Sequence, residues 1–322
     1  MNVAKVLVAT AVSAVALSAT ADEPYPSRPI RVLIPFAAGG AVDTMIRSVG
    51  PELSAQLGQP VVIENKPGGG AQIAASAMMS SPADGYTLFA AEIGAFAINP
   101  TLYKKITYQP VRDFEAVSFL ARTPMVMFTS TSGKLNSLKA LNDSLKAGAD
   151  LTYASPGPGT APHILGHLLA RSSPKATLVH VPYKGMPPAA QAIMSGEVDL
   201  LFDGVPGTLN LVKAQKAVPL AVAAGKRSDY LPQVPTTAEI GHPDMVMDLW
   251  IGVVARKGTP SAIVRKLHAA FESAISKPAV WSRFGELGYS RSPMSPEQFD
   301  GFIKSEIERY RPVVLDTGVT VD

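Results

Sequence analysis

Ile30-Arg31-Val32-Leu33-Ile34-Pro35-Phe36-Ala37-Ala38-Gly39-Gly40-Ala41-Val42-Asp43 is a short apolar run, a small-residue loop and the start of a helix-like stretch. The same order returns at Leu151-Thr152-Tyr153-Ala154-Ser155-Pro156-Gly157-Pro158-Gly159-Thr160-Ala161-Pro162-His163. A strand that ends in such a loop and opens a helix leaves backbone N–H groups unpaired at the positive end of the helix dipole. Anions are held there without an arginine. Two such loops far apart in sequence predict two half-sites facing each other across a cleft.

Outward from these loops, strand and helix signals alternate almost throughout, which predicts α/β architecture with largely parallel sheets. Strands are expected at 30–34, 61–63, 86–90, 151–153, 177–181, 198–202 and 219–223. Helices are expected at 42–57, 72–79, 137–147, 161–170, 188–194, 261–276, 278–287 and 296–314. Two longer apolar runs are read as crossings between lobes. One is 117–120 with 125–129, interrupted at Thr123-Pro124, and the other is 249–255. Together they describe a hinged clamshell, with residues 22–123 and 248–322 in lobe 1 and 124–247 in lobe 2.

Composition sets the compartment and excludes several classes. Residues 1–21 read as a secretory signal peptide: Lys5, an apolar stretch from Val6 to Leu17, and an Ala19-Thr20-Ala21 cleavage motif. The apolar stretch is too short to span a bilayer. The chain has no cysteine, so disulfides, thiolate metal sites and a lipidated N-terminal cysteine are all excluded. A net charge of +3 over 322 residues, without basic runs, gives no footprint for nucleic acid. A soluble periplasmic monomer is the expectation.

No catalytic signature is present: neither G-x-S-x-G, G-x-x-x-x-G-K nor H-E-x-x-H occurs. His163 and His167 stand at i, i+4, a spacing that can chelate zinc, but no third ligand is evident. No metal and no cofactor are expected. The rival functions are an exported hydrolase or isomerase with His163 and Glu92 as acid/base pair, and a ligand-sensing component of a signalling system.

Eight motifs in order resemble the extracytoplasmic solute receptors of tripartite tricarboxylate transporters, the Bug family. They are Tyr25-Pro26-x-Arg28-Pro29-Ile30, the 35–43 loop, Glu64-Asn65-Lys66-Pro67-Gly68, Ala97-Ile98-Asn99-Pro100-x-Leu102-Tyr103, Gly157-x-Gly159-Thr160-x-x-His163, Pro182-Tyr183-Lys184-Gly185, Gly196-x-Val198-Asp199 and Pro232-x-Val234-Pro235-Thr236. The resemblance implies a type II periplasmic-binding fold and no enzymatic activity. It further implies capture of a small carboxylate between the lobes for delivery to membrane permease subunits.

The expected site combines the loops with strand ends. Phe36, Ala38, Gly39, Gly40 and Gly70 come from lobe 1, with Gly39 and Gly40 as N–H donors and Asp43 holding those donors or their waters. Ser155, Gly159, Thr160 and His163 come from lobe 2, with Thr160 and His163 as donors. Tyr183 and Asp203 are expected to close the cleft, and Arg47 to point away. Ala95, Phe96 and Glu92 are expected at the variable end. Glu92 departs from the Gly, Ser or Thr more common there, and His167 stands where Glu is common. Glu92 is read as selecting a donor-bearing ligand, as rejecting a second anion, or as a solvated loop residue.

Overall fold

A single strand of 17 residues, Phe114–Ser130, ties the molecule together. The computed structural model describes residues 24–321; the signal peptide and its cleavage point lie outside the described residues. In chain order the strands are β1 (Ile30–Ile34), β2 (Val61–Asn65), β3 (Thr87–Glu92), β4 (Phe114–Ser130), β5 (Asp150–Ser155), β6 (Thr177–Pro182), β7 (Leu200–Gly204), β8 (Ala217–Ala223) and β9 (Asp248–Arg256).

From Phe114 to Pro124, β4 runs antiparallel to β9; from Met125 to Ser130 it runs antiparallel to β7 and β8. The strand therefore changes sheets in mid-course. One half-sheet is ordered β2-β1-β3-β9-β4 and the other β6-β5-β7-β4-β8. The two orders are equivalent, since each begins with three parallel strands and takes an antiparallel strand from a crossing segment. Pro124 does not interrupt the strand as expected. It sits at the handover, where its missing N–H is tolerated because the pairing partners are changing.

The helical expectations at 72–79 and 261–276 match the observed spans Gln72–Met79 and Ser261–Ser276. Ser137 caps the helix Leu138–Ala147 through the Ala140 N–H, and Ser295 and Gln298 form a capping box on Pro296–Asp316. Among the described residues, three α-helices carry no sequence expectation, the one-turn Asn99–Leu102 and Pro110–Asp113 and the longer Val205–Lys213. Val205–Lys213 opens with Val205-Pro206-Gly207, residues that otherwise signal a turn.

After β3 the chain enters a π-helical turn, Gly94–Ile98, that continues into the short helix Asn99–Leu102. Asn99-Pro100 thus sits at a helix start rather than at a break. The turn throws Phe96 into the core. Phe96 is fully buried, stacked on Trp250 at 5.5 Å and edge-on to Phe89. Trp250 donates its indole N–H to Glu306 Oε2 at 2.9 Å, anchoring the C-terminal helix across the sheet.

Candidate functional site

The carboxyl ends of the parallel strands of both half-sheets face one cleft, the place where open α/β sheets bind ligands. β1 and β5 lead into the two glycine-rich loops, β3 ends at Glu92, and β7 carries Asp203 one residue before its end at Gly204. The cleft has two connected parts, of about 540 Å³ and about 300 Å³. Both are walled by Phe36, Ala37, Glu92, Pro156 and Gly185.

Five helices begin on this cleft. Their N-cap residues, Gly40, Ala71, Thr160, Gly185 and Gly204, all line it, and none of the five has a side-chain cap. The first-turn amides of a helix have no intrahelical acceptor. Five positive helix ends therefore converge on one volume.

The first loop is held by a small polar network. Asp43 is buried; its Oδ2 accepts the Gly39 N–H at 2.9 Å and its Oδ1 accepts from Asn65 Nδ2 at 2.9 Å. Arg47 Nε donates to the same carboxylate at 2.9 Å, and the Arg47 guanidinium also reaches Asn65 Oδ1 at 2.8 Å. Asn65 gets there because β2 pairs in parallel with β1, Ile34 opposite Asn65. Burial pushes the Asp43 carboxyl up, but the bonds from Arg47, Gly39 and Asn65 together hold it below its ordinary value.

Two expectations are corrected here. The Gly39 N–H is spent on Asp43, and Arg47 points into the network rather than away. Gly39 has φ +88°, so any other residue would be strained even with open space around its Cβ position.

The second loop is also wired internally. The Gly157 N–H donates to Ser155 Oγ at 3.0 Å, the Gly159 N–H to His163 Nδ1 at 3.3 Å, and Thr160 Oγ1 to the Gly157 carbonyl at 2.7 Å. Ser155 is fully buried, with its hydroxyl 2.6 Å from His180 Nε2. His163 is buried and stacks on His180 at 4.3 Å. Burial, aided by repulsion from His180 and His167, lowers the His163 pKa to about 3, so a neutral ring accepts the Gly159 N–H. Ser155 and His163 support the loop from behind and do not line the cleft. No acid/base pair of His163 with Glu92 is assembled.

Of the remaining expected residues, Gly40 and Asp203 line the smaller part of the cleft. Gly70, Ala95, Gly159, Thr160 and Tyr183 line the larger, while Phe36 and Glu92 line both. Ala38 is exposed outside it, and Phe96 belongs to the core. Tyr183 donates its hydroxyl to Glu197 at 2.7 Å. The sequence alone does not single out Lys184 in the larger part or Tyr289 in the smaller. Lys184 stands within one of the eight motifs, whereas nothing local marks Tyr289.

The loops meet across the cleft. A Cβ on Gly94 would lie 2.6 Å from the Gly159 carbonyl oxygen. At Gly159, with φ +78°, a Cβ would fall 1.9 Å from Asn99 Oδ1. Only glycine permits this approach at either position.

The model of the tripartite tricarboxylate transporter family receptor matches residues 45–319. Protein BugT of Bordetella pertussis is 35% identical over 97% of this chain and 95% of its own length. Among solved structures, MatC from Rhodopseudomonas palustris with bound malate is 31% identical, with a TM-score of 0.84 over 90% of this chain and 100% of that one. A second R. palustris protein, solved with adipate, is 30% identical, with a TM-score of 0.86 over 92% and 99%. The fold and cleft are those of a solute-binding receptor, not of an enzyme. The chain belongs to the tripartite tricarboxylate transporter receptor family, the Bug-type receptors.

Proposed function

We propose that this receptor captures a small organic carboxylate in the cleft, in the periplasm, and delivers it to the permease subunits of a tripartite tricarboxylate transporter. The observation that carries this is the convergence of five uncapped helix N-termini on one cleft. Amides preorganised at fixed positive ends favour an anion without the desolvation cost of burying a cation. The malate and adipate held by the two R. palustris relatives support the same ligand class.

In this reading the helix starts at Gly40 and Thr160 present the donors, the Gly185 N–H being taken by the Pro156 carbonyl at 3.2 Å. Asp43, Ser155 and His163 act behind them, fixing loop shape. The lobes divide at 123/124 and 247/248, a division supported by the change of β4 partners at Pro124. Export is followed by cleavage between Ala21 and Asp22. N-terminal sequencing of the exported protein should begin at Asp22, and an intact Met1 would contradict cleavage.

A thermal-shift screen of mono-, di- and tricarboxylates, aromatic acids and amino acids tests the ligand class. A ligand at 100 times its Kd stabilises the folded state by about 2.7 kcal/mol. At least one carboxylate should raise the melting temperature while its amide does not. A panel in which amides and acids act alike, or in which no acid acts, would overturn the proposal.

A further inference from the structure

The cleft is electrically lopsided. Its larger part has Lys184 among the lining residues together with the glycine loops. Its smaller part has no Lys, Arg or His among the lining residues; the ionisable groups there are Glu92, Asp203 and Tyr289, set among Met125, Leu249 and Leu287. Glu92 is 9% exposed, faces both parts, and has no hydrogen-bond or ion-pair partner among the described residues. A carboxyl so deeply buried without a donor is costly unless something arrives to meet it. Asp203 comes from the equivalent strand end of the opposite lobe. Its carboxylate accepts the Gly204 N–H at 2.8 Å and forms no ion pair among the described residues.

We propose that this end of the cleft selects a cationic group: the preferred ligand is a zwitterion, its carboxylate at the glycine loops and a distant ammonium between Glu92 and Asp203. The inference rests on the carboxylate reading above and adds the second recognition element. One acid from each lobe means that the ammonium completes its contacts only when both lobes engage it.

The electrostatics agree with that geometry. Burial, and then the charge of Asp203, raises the Glu92 carboxyl to about 8. Burial raises Asp203 to about 7, partly offset by its bond from the Gly204 N–H. Tyr289 faces both acids and is itself raised, by burial first and then by their charges. The free cleft therefore retains proton on this pair at neutral pH. An ammonium displaces that proton, whereas a second ligand carboxylate would need it kept. The two ligand classes thus have opposite pH dependence.

Titration calorimetry on the purified receptor decides between them. Matched series of four, five and six carbons are used: monocarboxylate, dicarboxylate (succinate, glutarate, adipate) and ω-amino acid (4-aminobutyrate, 5-aminopentanoate, 6-aminohexanoate). One ω-amino acid should bind about 10-fold or more tighter than its matched partners, the scale of one charged hydrogen bond. Its affinity should rise from pH 6 to pH 8, with proton release. Glu92→Gln should cancel that advantage, the ω-amino acid then binding no tighter than its matched monocarboxylate.

A dicarboxylate that binds tightest, and tighter as pH falls, would overturn the inference while leaving carboxylate capture standing. So would a series in which the ω-amino acids gain nothing over the monocarboxylates. Failure of every acid, in the wide screen as in this series, would remove both proposals. Should Glu92→Gln not fold, the chain-length and pH series on the unaltered receptor separate the same outcomes.

Discussion

Gly94→Ala is the substitution whose consequence depends most on whether the two lobes move. Gly94 opens the π-helical turn, and its added Cβ would lie 2.6 Å from the Gly159 carbonyl oxygen and 3.5 Å from Thr160 Cα. Cβ contacts below 3.0 Å are essentially never seen, so one backbone must shift by at least about 0.4 Å. Overpacking of this kind costs about 1–3 kcal/mol. If the lobes hinge apart without ligand, the free protein escapes the clash and only the ligand-bound, closed form bears it. Affinity should then fall by roughly 5- to 150-fold, with the melting temperature of the free protein unchanged. Calorimetry with the acid found in the thermal-shift screen, together with melting curves, measures both quantities. A destabilised free protein with unaltered affinity would refute hinge closure and mean that the two loops are permanently joined.

Phe96→Ala should cost about 3–5 kcal/mol in urea unfolding, as for other buried aromatics, and leave the affinity of the folded fraction unchanged; loss of affinity without loss of stability would return Phe96 to the ligand. Asp43→Ala should cost about 2 kcal/mol, since it strips charge-assisted bonds from partly hydrated partners, and should weaken binding more than Arg47→Ala does. The depressed Asp43 carboxyl contributes stability present above its ordinary value of 3.8 and lost as pH falls through its folded value, so the wild type and Asp43→Ala should converge in acid unfolding; parallel curves would contradict the network. Glu92 behaves oppositely. A carboxyl raised from 4.5 to about 8 costs the folded state progressively more as pH climbs between those values. Glu92→Gln should therefore gain on the wild type by on the order of 3 kcal/mol from pH 5 to pH 8, and a pH-independent difference would show that Glu92 is ionised freely in solvent.

The strand–loop–helix units were legible because their punctuation is local. Glycine and proline clusters end β1 and β5, and 3.6-residue periodicity carries the helices that follow. The apolar runs 117–120 and 125–129 are legible as strand, but their continuity through Pro124 within Phe114–Ser130 is not. A proline reads as a break until the partner strands are known to change at that residue. Phe96 could not be placed, since a π-helical turn has no sequence pattern and shifts every following side chain by a fraction of a turn. The loops themselves are legible as glycine-rich turns that open helices, but which of their N–H groups stay free is not. Which amide Asp43 or His163 consumes depends on a few tenths of an ångström, and Asn65 reaches Asp43 only through the β1–β2 register. Nothing in the sequence brings Glu92 beside Asp203. The two stand at equivalent strand ends of different lobes, so only the fold joins them.

Carboxylate capture by helix-terminal amides is tested most directly by a crystal structure of the receptor with the tightest-binding acid from the screen. The ligand carboxylate should lie within about 2.7–3.2 Å of backbone N–H groups at the Gly40 and Thr160 helix starts, with no cationic side chain in contact. A carboxylate paired instead with Lys184 or Arg47, and remote from those amides, would contradict it.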